Sequence, residues 1–489
     1  MSAFAKLAEA TSRGSMPDFA PGIEAVFPDE FPECDRAVEA AGDPLPDFLR
    51  GTYYLSGPAR FGFKDLAYRH WLDGDGMVCS LRFDGKSIRL KSRYVRSRKF
   101  VEEQSAGRPL FRTFGTAFAG SRLNRVGNGL ESPVNVSVYP FAGHLLAFGE
   151  QGLPWELDAT TLETRGQFTF NGRLNEASPF SAHPKFDAET SEMFNFGIFF
   201  SNQSPRLYFY CFGPAGLRYR KAVPLEYSCS VHDFSLSRKY AVFYLSPYLL
   251  DATELPQEGC TVMDSLQWQP ERGSRILVLE RGTGEVAASI PVGSRYCLHL
   301  INSWDDGHQL AVDLLEFDEP LYAHYQPVPD LFQKVSPGDP VRLTLDLKSR
   351  EIVDRVELRY SKSPDFPAID PHLAMHSCDE FWMLGISAAG NDGRKFFDQL
   401  VHAGWSGGTM DIYQSAPGCY LGGEPVYVGD PGSAEAVVIC QEFDAVARKS
   451  SFLVFEAGSV AKGPVTRLPV EQVIYLGFHA AFRPETAIP

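Results

Sequence analysis

Leu207-Tyr-Phe-Tyr-Cys-Phe212 is the kind of segment that decides the fold of this 489-residue chain: a short run of aromatic and aliphatic residues bounded by turn-forming residues. Such segments recur from Gly51 onward, and turns such as Asp305-Asp-Gly307 separate them. Seven more have the same texture: Val136–Tyr139, Tyr240–Leu245, Arg275–Leu279, Val341–Leu345, Phe381–Ile386, Ala436–Ile439 and Ser451–Phe455. Short strands at this density predict an all-β sandwich, barrel or propeller.

The chain length is compatible with a propeller. Propellers have typically four to eight four-stranded blades, and seven blades would give about 70 residues per blade, enough for extra loops on one face. The 43 Gly and 35 Pro are spread along the whole chain, without the polar, Pro/Gly-rich linkers that would separate three domains. One large, closed β-architecture fits that spread, although no repeat signature establishes the number of blades.

The chain is predicted to divide into two parts of unequal size. Residues 1–50 are rich in Pro and acids and are predicted to form an N-terminal arm over the main domain, with a short helix at Ala3–Ala10. Residues 51–489 are predicted to form the propeller and its cap insertions. Two stretches interrupt the β texture: we expect a helical excursion at residues 251–272 and a loop at the Gly-rich residues 387–422.

Charge and composition exclude several functions. The formal net charge of −15 supplies no basic footprint, so we expect no nucleic-acid partner. The nine Cys form no CxxC pair, which is typical of free thiols in a reducing compartment. No stretch approaches the roughly 20 apolar residues that span a bilayer. We therefore expect a cytoplasmic protein, peripheral to a membrane at most, with no obligate protein partner.

Four of the eleven His lie in similar settings, among small or apolar residues within or beside a predicted strand: His183, His232, His299 and His479. Taken singly, each is better explained as a hydrogen-bonded core residue. Four buried neutral imidazoles would need four sets of partners, however, whereas one metal ion satisfies four ring nitrogens at once. Intervals of 49, 67 and 180 residues separate them, close to one blade, one blade and two to three blades. One His from each of four blades could therefore converge on a central ion.

The motifs around these His resemble those of a known family. They run in order along nearly the whole chain: His70-Trp-Leu-Asp-Gly-Asp-Gly-Met77, Ser181-Ala-His-Pro-Lys-Phe-Asp187, Met193-Phe-Asn-Phe-Gly197, Val231-His-Asp-Phe234, His299-Leu-Ile-Asn-Ser-Trp304, Gly422-Gly-Glu-Pro425 and Gly477-Phe-His479. On these motifs the chain is identified as a member of the carotenoid cleavage oxygenase family, which includes apocarotenoid oxygenases, lignostilbene dioxygenases and isoeugenol-cleaving enzymes. The resemblance implies a seven-bladed β-propeller with a loop/helix cap over its top face. It also implies an Fe(II) centre with the four His as ligands, where O2 and a conjugated C=C bond react to give two carbonyl products.

The same resemblance implies three acids beside the His ligands. In the family these acids accept hydrogen bonds from the distal N–H groups of the ligands, which orients the rings and raises their basicity. The motifs place them at Glu150 in Phe148-Gly-Glu-Gln151, at Asp365 in Asp365-Phe-Pro, and at Glu424 in Gly-Gly-Glu-Pro. The middle position is usually Glu in the family. Because Asp365 has a shorter arm, it must sit closer to its His or reach it through water.

An apolar, aromatic-lined pocket is expected beside the iron. By resemblance, five residues are expected at the pocket or its entrance: Phe61, Phe100, Val134, Phe199 and Trp304. The family often has a Thr near the open metal position, where this chain has Val134. The apolar stretch Tyr244–Leu250 and the segment after it could contact a lipid surface at the pocket mouth, although a buried strand end explains it equally well.

Two substrate classes compete. An apocarotenoid-like polyene is favoured, because the aryl-alkene-cleaving branch grips a phenol with a Tyr and a Lys that are missing here. Phe100 stands at the Tyr position, and no Lys occurs between Arg125 and Lys185. The segment Trp268-Gln-Pro-Glu-Arg-Gly273 nevertheless resembles that branch, so a stilbene or phenylpropanoid is the alternative substrate. The remaining hypotheses are a family member with isomerase or lost activity, a non-catalytic propeller scaffold, and a zinc hydrolase, which no HExxH-type motif supports.

Overall fold

Seven sheets of four or five antiparallel strands make up the described part of the chain, and they form the blades of a propeller. The structure is a computed structural model that describes residues 23–63, 66–123, 130–321, 328, 334–390, 396–430 and 433–485. The helix expected at Ala3–Ala10 lies outside these residues. The prediction of an all-β, seven-bladed propeller is confirmed.

The blades are numbered in chain order of their inner strands, with the C-terminal strand assigned to the first. Blade I consists of Cys34–Val38, Gly51–Arg60, Asp75–Phe83, Ile88–Tyr94 and the inner strand Ala480–Pro484. Blade II consists of Ser137–Phe141, His144–Phe148, Trp155–Leu157 and Thr164–Gln167. Blade III consists of Lys185–Asp187, Glu192–Phe199, Arg206–Gly213 and Gly216–Pro224. Blade IV consists of Phe234–Leu236, Tyr240–Leu245, Ser274–Glu280 and Val286–Gly293.

The remaining blades follow the same up-and-down pattern. Blade V consists of Tyr296–Asp305, Gln309–Phe317, Gly338–Asp346 and Glu351–Glu357. Blade VI consists of Ser363–Ala368, Glu380–Ile386, Gln399–Gly404 and Thr409–Gln414. Blade VII consists of Cys419–Gly429, Ala436–Asp444, Lys449–Glu456 and Thr466–Val470, with the edge strand Ala41–Gly42.

Shorter elements lie in the connections. Two ribbons pair Gly62–Phe63 with Leu66–Ala67, and Tyr248–Leu250 with Leu266–Trp268. The described residues contain one α-helix, Arg98–Ala106, and the 3-10 helices Ile23–Val26, Trp71–Asp73, Pro270–Arg272, Pro371–Leu373 and Val460–Lys462. The α-helix begins at the N-cap Ser97, whose side chain accepts a hydrogen bond from the backbone N–H of Phe100, and ends at Gly107 with a φ of 63°.

The chain closes the ring by pairing its two ends. The C-terminal strand Ala480–Pro484 is antiparallel to Gly51–Arg60, with Tyr53 opposite Phe482. The same strand contacts the inner strands of blades II and VII, so it fills the gap between the first and last blades. Closure of this kind leaves only short, protected sheet edges.

Aromatic side chains fill the space between neighbouring blades. The ring centroid of Phe196 in blade III lies 5.4 Å from that of Phe234 and 5.3 Å from that of Phe243, both in blade IV. All three side chains are fully buried. Since burying a Phe contributes roughly 1.5–3 kcal/mol, contacts of this type hold adjacent blades face to face.

Residues 34–42, which belong to the predicted N-terminal arm, lie at the outer edge of two blades. Cys34–Val38 pairs with Ile88–Tyr94 of blade I. Ala41–Gly42 pairs with Thr466–Val470 of blade VII. This part of the arm therefore bridges the outer edges of the first and last blades.

Residues 251–272 do not form the predicted helical excursion. They form turns, the strand Leu266–Trp268 and the 3-10 helix Pro270–Arg272. Asp251 accepts a hydrogen bond from the backbone N–H of Thr253 at 2.8 Å, and Asp264 accepts one from that of Thr261 at 3.1 Å. Such local side-chain bonds offer the backbone an alternative to the α-helix.

Residues 387–422 were expected to form a loop, and that expectation is wrong. They contain the strands Gln399–Gly404 and Thr409–Gln414 and the first part of Cys419–Gly429. Leu400 and Val401 are fully buried in blade VI. Burial against neighbouring strands outweighs the Gly-rich composition, because strand formation depends on packing more than on intrinsic preference.

Long connections between strands form the predicted cap. The helix Arg98–Ala106 belongs to the connection from blade I to blade II, and the ribbon Tyr248–Leu250 lies within blade IV. Residues from both connections line the cavity that reaches the centre of the ring, among them Arg98, Tyr248 and Leu250. The cap therefore encloses the space above the inner ends of the blades.

Candidate metal centre

The four predicted His ligands come from four different blades. His183 and His232 precede the inner strands of blades III and IV. His299 lies within the inner strand of blade V, and His479 immediately precedes the inner strand of blade I. The long interval between His299 and His479 therefore spans three blade steps around the ring.

The structure brings the four imidazoles to one point. Each ring offers one nitrogen, and these atoms all lie within 4.8 Å of one another. The ring centroid of His183 is 4.3 Å from that of His232 and 4.4 Å from that of His479. Imidazole is a good ligand for iron, zinc, copper and nickel, so four converging rings can hold one transition-metal ion.

Two of the rings are held by glutamates at their outer nitrogens. Glu150 Oε1 lies 2.9 Å from Nδ1 of His232. Glu424 Oε2 lies 3.3 Å from Nδ1 of His479 and at the same distance from the backbone N of Ala480. Since a carboxylate accepts, each imidazole carries its proton on Nδ1 and directs the lone pair of Nε2 elsewhere.

Asp365 holds the third ring directly. Its Oδ1 lies 2.5 Å from Nδ1 of His299, and it also accepts the backbone N–H of Phe366 at 2.8 Å. A bulge in the pairing of its strand between Asp365 and Ala368 accompanies this contact. The shorter side chain of Asp365 therefore contacts His299 directly.

The four His and the three acids together come from all seven blades. The His come from blades I, III, IV and V, and the acids from blade VI, blade VII and the end of the second strand of blade II. Because all seven blades contribute, the centre exists only when the ring is complete.

His183 has different support from the other three rings. Its Nδ1 is 3.9 Å from Asp233 Oδ1, which is beyond hydrogen-bonding distance. Asp233 is almost fully buried, forms an ion pair with Lys185 at 2.8 Å and accepts the backbone N–H of Leu300 at 3.0 Å. Sequence reasoning missed this pair, although its members lie one and two positions from predicted ligands.

Burial favours the neutral form of two of the central rings, those of His183 and His479. Burial, and then repulsion from the other three imidazoles, lowers the pKa of His183 well below its usual value. Burial also lowers the pKa of His479, against the pull of Glu424. At His232 burial acts in the same direction, but the attraction and hydrogen bond of Glu150 outweigh it and raise the pKa. The neutral imidazole is the form that binds a metal.

The inner nitrogens fit a metal ion. Nε2 of His183 and Nε2 of His299 are buried, with no hydrogen-bond partner among the described residues. Leaving a buried polar atom unpaired costs roughly 1–3 kcal/mol. A single ion between the rings would satisfy these atoms together, so the donor set and its geometry suit a metal centre.

A cavity of about 410 Å³ opens onto this centre. Three of the four His line it, and most of the rest of its wall is aliphatic and aromatic. The residues nearest in sequence to the His and their acids include Val231, Leu298, Phe366 and Phe478. A largely apolar cavity of this size suits a small organic substrate.

Only one of the five predicted pocket residues lines this cavity. Phe199 does so, and it is 47% exposed, which places it at the mouth. The other four are absent from the lining: Phe61, Phe100, Val134 and Trp304. These four side chains pack against protein beside or behind this cavity.

Three of these side chains have clear partners of their own. The ring of Phe61 packs on Phe27 at 5.1 Å between centroids. Phe100 stacks on Tyr94 at 5.0 Å. Trp304 lies under the guanidinium of a neighbouring arginine at 4.4 Å. Proximity in sequence to a family motif therefore did not establish which way these side chains point.

Val134 lies behind the cavity wall. Its φ of 54° is an outlier for a β-branched residue, and its side chain is fully buried. The neighbours Pro133 and Asn135 do line the cavity. The side-chain amide of Asn135 donates to the backbone carbonyls of Leu72 and Gly74 at 2.8 and 2.7 Å, which anchors this unusual segment.

Gly76 allows the backbone around Val134 to approach closely, because it has no side chain. Its N–H donates to Pro133 O at 2.8 Å, and a Cβ placed on it would lie 1.8 Å from the carbonyl oxygen of Val134. We expect Gly76→Ala to lower the free energy of unfolding by about 3 kcal/mol or more, because the backbone must move. Urea denaturation measures this. Gly458→Ala, with no heavy atom within 4 Å of its added Cβ, is the control, and similar small effects in both variants would contradict the prediction.

Two phenylalanines beside the ligands were missed from the sequence. Phe366 and Phe478 line the cavity, and the Phe366 ring centroid lies 5.1 Å from that of His479. Phe366 has a φ of 50°, which turns it out of the regular strand. Their positions next to Asp365 and His479 in the sequence were the signal that could have found them.

The stretch Tyr244–Leu250, considered for lipid contact, is largely inside the protein. Tyr244, Tyr248 and Leu250 are each no more than 4% exposed. Tyr248 and Leu250 line the cavity. In the described part of the chain, no helix has the length and apolar character needed to span a membrane.

The fold and the site define a β-propeller protein with a central four-His cluster that can hold a metal ion. The chain matches the sequence profile of the retinal pigment epithelial membrane protein family over residues 27–484. It therefore belongs to this family, that of the carotenoid cleavage oxygenases. The resemblance drawn from the motifs is confirmed.

Several named oxygenases are similar to this chain. It is 25% identical over 474 residues to apocarotenoid-15,15'-oxygenase of Synechocystis sp., covering 92% of this chain and 94% of that protein. It is 26% identical over 470 residues to isoeugenol monooxygenase of Pseudomonas nitroreducens, covering 91% and 94%. It is 25% identical over 484 residues to a lignostilbene-α,β-dioxygenase of Sphingomonas paucimobilis, covering 92% and 94%. These relatives support an enzyme that incorporates oxygen.

The fold also matches solved structures. Cobalt-substituted apocarotenoid oxygenase of Synechocystis superposes with a TM-score of 0.85 at 24% identity, covering 94% of this chain and 98% of that one. At this level of identity the match establishes the propeller fold.

Proposed function

We propose that the protein is a non-haem Fe(II) dioxygenase that cleaves a C=C bond of an apocarotenoid-like polyene. One alkene and one O2 give two carbonyl products, each carrying one oxygen atom from O2. The proposal rests on one observation: four imidazoles from four blades converge beside a largely apolar cavity, with three of them oriented by carboxylates.

Iron is proposed on the chemistry of the donors and the nature of the relatives. Four neutral imidazoles carry no negative charge, so a divalent ion held by them keeps its full 2+ charge. A site of two His and one carboxylate would neutralise part of that charge. When bound, a ferrous ion would supply the electrons that activate O2 for reaction with the alkene. The relatives named above are oxygenases, which favours iron over a redox-inert ion such as zinc.

The residues of the chain perform the remaining tasks. Glu150, Asp365 and Glu424 hold the proton on Nδ1 of their His partners, so that each Nε2 faces the centre. Phe366 and Phe478 form an apolar wall next to the rings. That wall excludes water and presses the alkene toward the centre.

A polyene is favoured over a phenol because the described residues that line the cavity offer a phenolate no free cation. No lysine is found among the described residues that line it. Arg98 does line it, but this arginine already donates to Glu131 and Glu176, both at 2.9 Å. Phe100, which stands where a phenol-binding Tyr was expected, is stacked on Tyr94 outside the cavity.

An aryl-alkene is the second candidate. The isoeugenol and lignostilbene enzymes are as similar to this chain as the apocarotenoid enzyme is, at 25–26% identity over almost its whole length. A stilbene or phenylpropanoid would be cleaved by the same chemistry, with both carbonyl products bearing oxygen from O2.

A product analysis tests the proposed function. Protein loaded with Fe(II) without air is mixed with an apocarotenal, a stilbene or isoeugenol, and then with 18O2. We expect cleavage of the apocarotenal into two carbonyl compounds, each with one 18O, and slower or no cleavage of the aryl-alkenes. Faster cleavage of the aryl-alkenes would select the second candidate. Iron-loaded protein that cleaves none of the alkenes would contradict the proposal.

A further inference from the structure

One buried hydroxyl in the cavity wall differs from its neighbours. Tyr248 lines the cavity and is 4% exposed. No hydrogen bond from its hydroxyl to a side chain or backbone group is found among the described residues. A phenolic hydroxyl in an apolar setting normally finds a partner, so an unpaired one on a cavity wall is available to a ligand atom.

Several other polar side chains in the wall are already satisfied within the protein. Asn135 donates to two backbone carbonyls, and Ser181 donates to Asn195 at 2.6 Å. Ser178 exchanges hydrogen bonds with Asn175. Tyr248 differs from these three residues, because its hydroxyl remains available to a substrate.

Tyr248 is held in place relative to the His centre. Its backbone carbonyl accepts the N–H of Ser230 at 2.8 Å, two residues before His232. Its ring packs edge-on against Tyr296 at 6.2 Å between centroids, three residues before His299. Tyr248 also pairs with Trp268 in the ribbon of the cap. The backbone and ring of Tyr248 are thus tied to the segments that carry two of the four His rings.

We infer that the Tyr248 hydroxyl donates a hydrogen bond to an oxygen atom at one end of the substrate and so determines which C=C bond lies at the His centre. This inference rests on the proposed function and deepens it: the substrate is an alkene that carries an accepting oxygen, not a pure hydrocarbon. A polyene aldehyde and a hydroxylated or methoxylated aryl-alkene share this feature.

The hydroxyl is suited to donating. Burial raises the pKa of Tyr248 above its usual value, so the group stays protonated at neutral pH. A neutral donor fits a carbonyl or ether oxygen better than it stabilises a phenolate, which is best held by a cation. Because the substrate end is fixed by one bond, the rest of the cavity can remain apolar.

Binding measured without O2 tests the inference apart from turnover. The probes are a conjugated polyene aldehyde and the methyl-terminated polyene of the same length, with 4-hydroxystilbene and stilbene as a second pair. The anaerobic, Fe(II)-loaded wild type should bind the oxygen-bearing member of one pair about 3- to 10-fold more tightly, and Tyr248→Phe should abolish that preference. The pair that shows it identifies the substrate class.

Tyr54→Phe is the matched control. Tyr54 is also fully buried, but its hydroxyl donates to Ala159 O at 3.2 Å and it does not line the cavity. This variant should keep the wild-type preference. A wild type without any preference, or a Tyr248→Phe variant that keeps it or weakens both members of a pair equally, overturns the inference.

Turnover separates this inference from the proposed function. With an oxygen-bearing polyene, Tyr248→Phe should also yield products cleaved at more than one double bond, where the wild type cleaves at one. If no alkene is cleaved while the binding preference depends on Tyr248, the proposed oxygenase activity fails and the substrate-binding role stands.

Discussion

The His232→Ala variant is expected to lose iron and, with it, all turnover. The imidazole of His232 is one of the four groups whose nitrogens meet at the centre, and alanine leaves Glu150 facing the centre without this partner. Loss of a hydrogen-bonding partner behind a ligand already costs about 10- to 100-fold in metal affinity, so loss of the ligand itself should exceed that range. Iron content after desalting, measured by inductively coupled plasma mass spectrometry, should fall to background.

His144→Ala is the matched control for that variant. Nδ1 of His144 lies 2.9 Å from Glu156, the same distance that separates His232 from Glu150, but His144 is not part of the central group. The control should keep wild-type iron content and turnover. Normal iron content in His232→Ala would show that the ring is not a ligand.

The second large effect is expected at Asp365. Asp365→Asn keeps the shape of the side chain but removes the charge that holds the proton on Nδ1 of His299. An amide N–H in that place can donate to Nδ1 and shift the ring proton to Nε2, which then cannot bind a metal. We expect iron affinity to fall by about 10- to 100-fold, with a matching loss of activity at limiting iron.

Asp370→Asn provides a control with the same chemistry at the surface. Asp370 Oδ1 lies 3.0 Å from Nδ1 of His372, and this His is exposed. That substitution should leave iron affinity unchanged. Equal affinities in Asp365→Asn and the wild type would mean that the carboxylate does not orient His299.

The propeller strands and the four central His could be predicted from the sequence, because each is marked by a short, recognisable pattern of residues. Alternating aromatic and β-branched runs mark strands, and motifs around His183 and His299 are local enough to read directly. The acids could be named from motifs in the same way. The sequence did not establish whether the shorter side chain of Asp365 would contact His299 directly or through water. The structure shows direct contact.

The cavity wall could not be predicted in the same way. Which side of a strand or loop faces a cavity depends on bulges and on backbone angles that distant contacts impose. Val134 points away from the cavity because its left-handed φ turns the chain, and Phe366 lines it beside a bulge. Tyr248 lay in a stretch considered for lipid contact, yet pairing with the Trp268 strand directs it inward.

The two wrong predictions of local structure have a related cause. In residues 251–272, side-chain bonds from Asp251 and Asp264 to nearby backbone groups replace a helix. In residues 387–422, a Gly-rich composition conceals strands that are buried by other strands of their own and neighbouring blades. Amino-acid composition alone predicts neither the local side-chain hydrogen bonds nor the burial of these strands.

A crystal of the Fe(II)-loaded protein, measured at the iron absorption edge, tests the central claim most directly. Anomalous difference density should show a single peak bounded by Nε2 of His183, His232, His299 and His479, at roughly 2.0–2.2 Å from each nitrogen, as for other imidazole-bound first-row metals. A peak elsewhere, or no peak between these four rings in protein that retains stoichiometric iron, would contradict it.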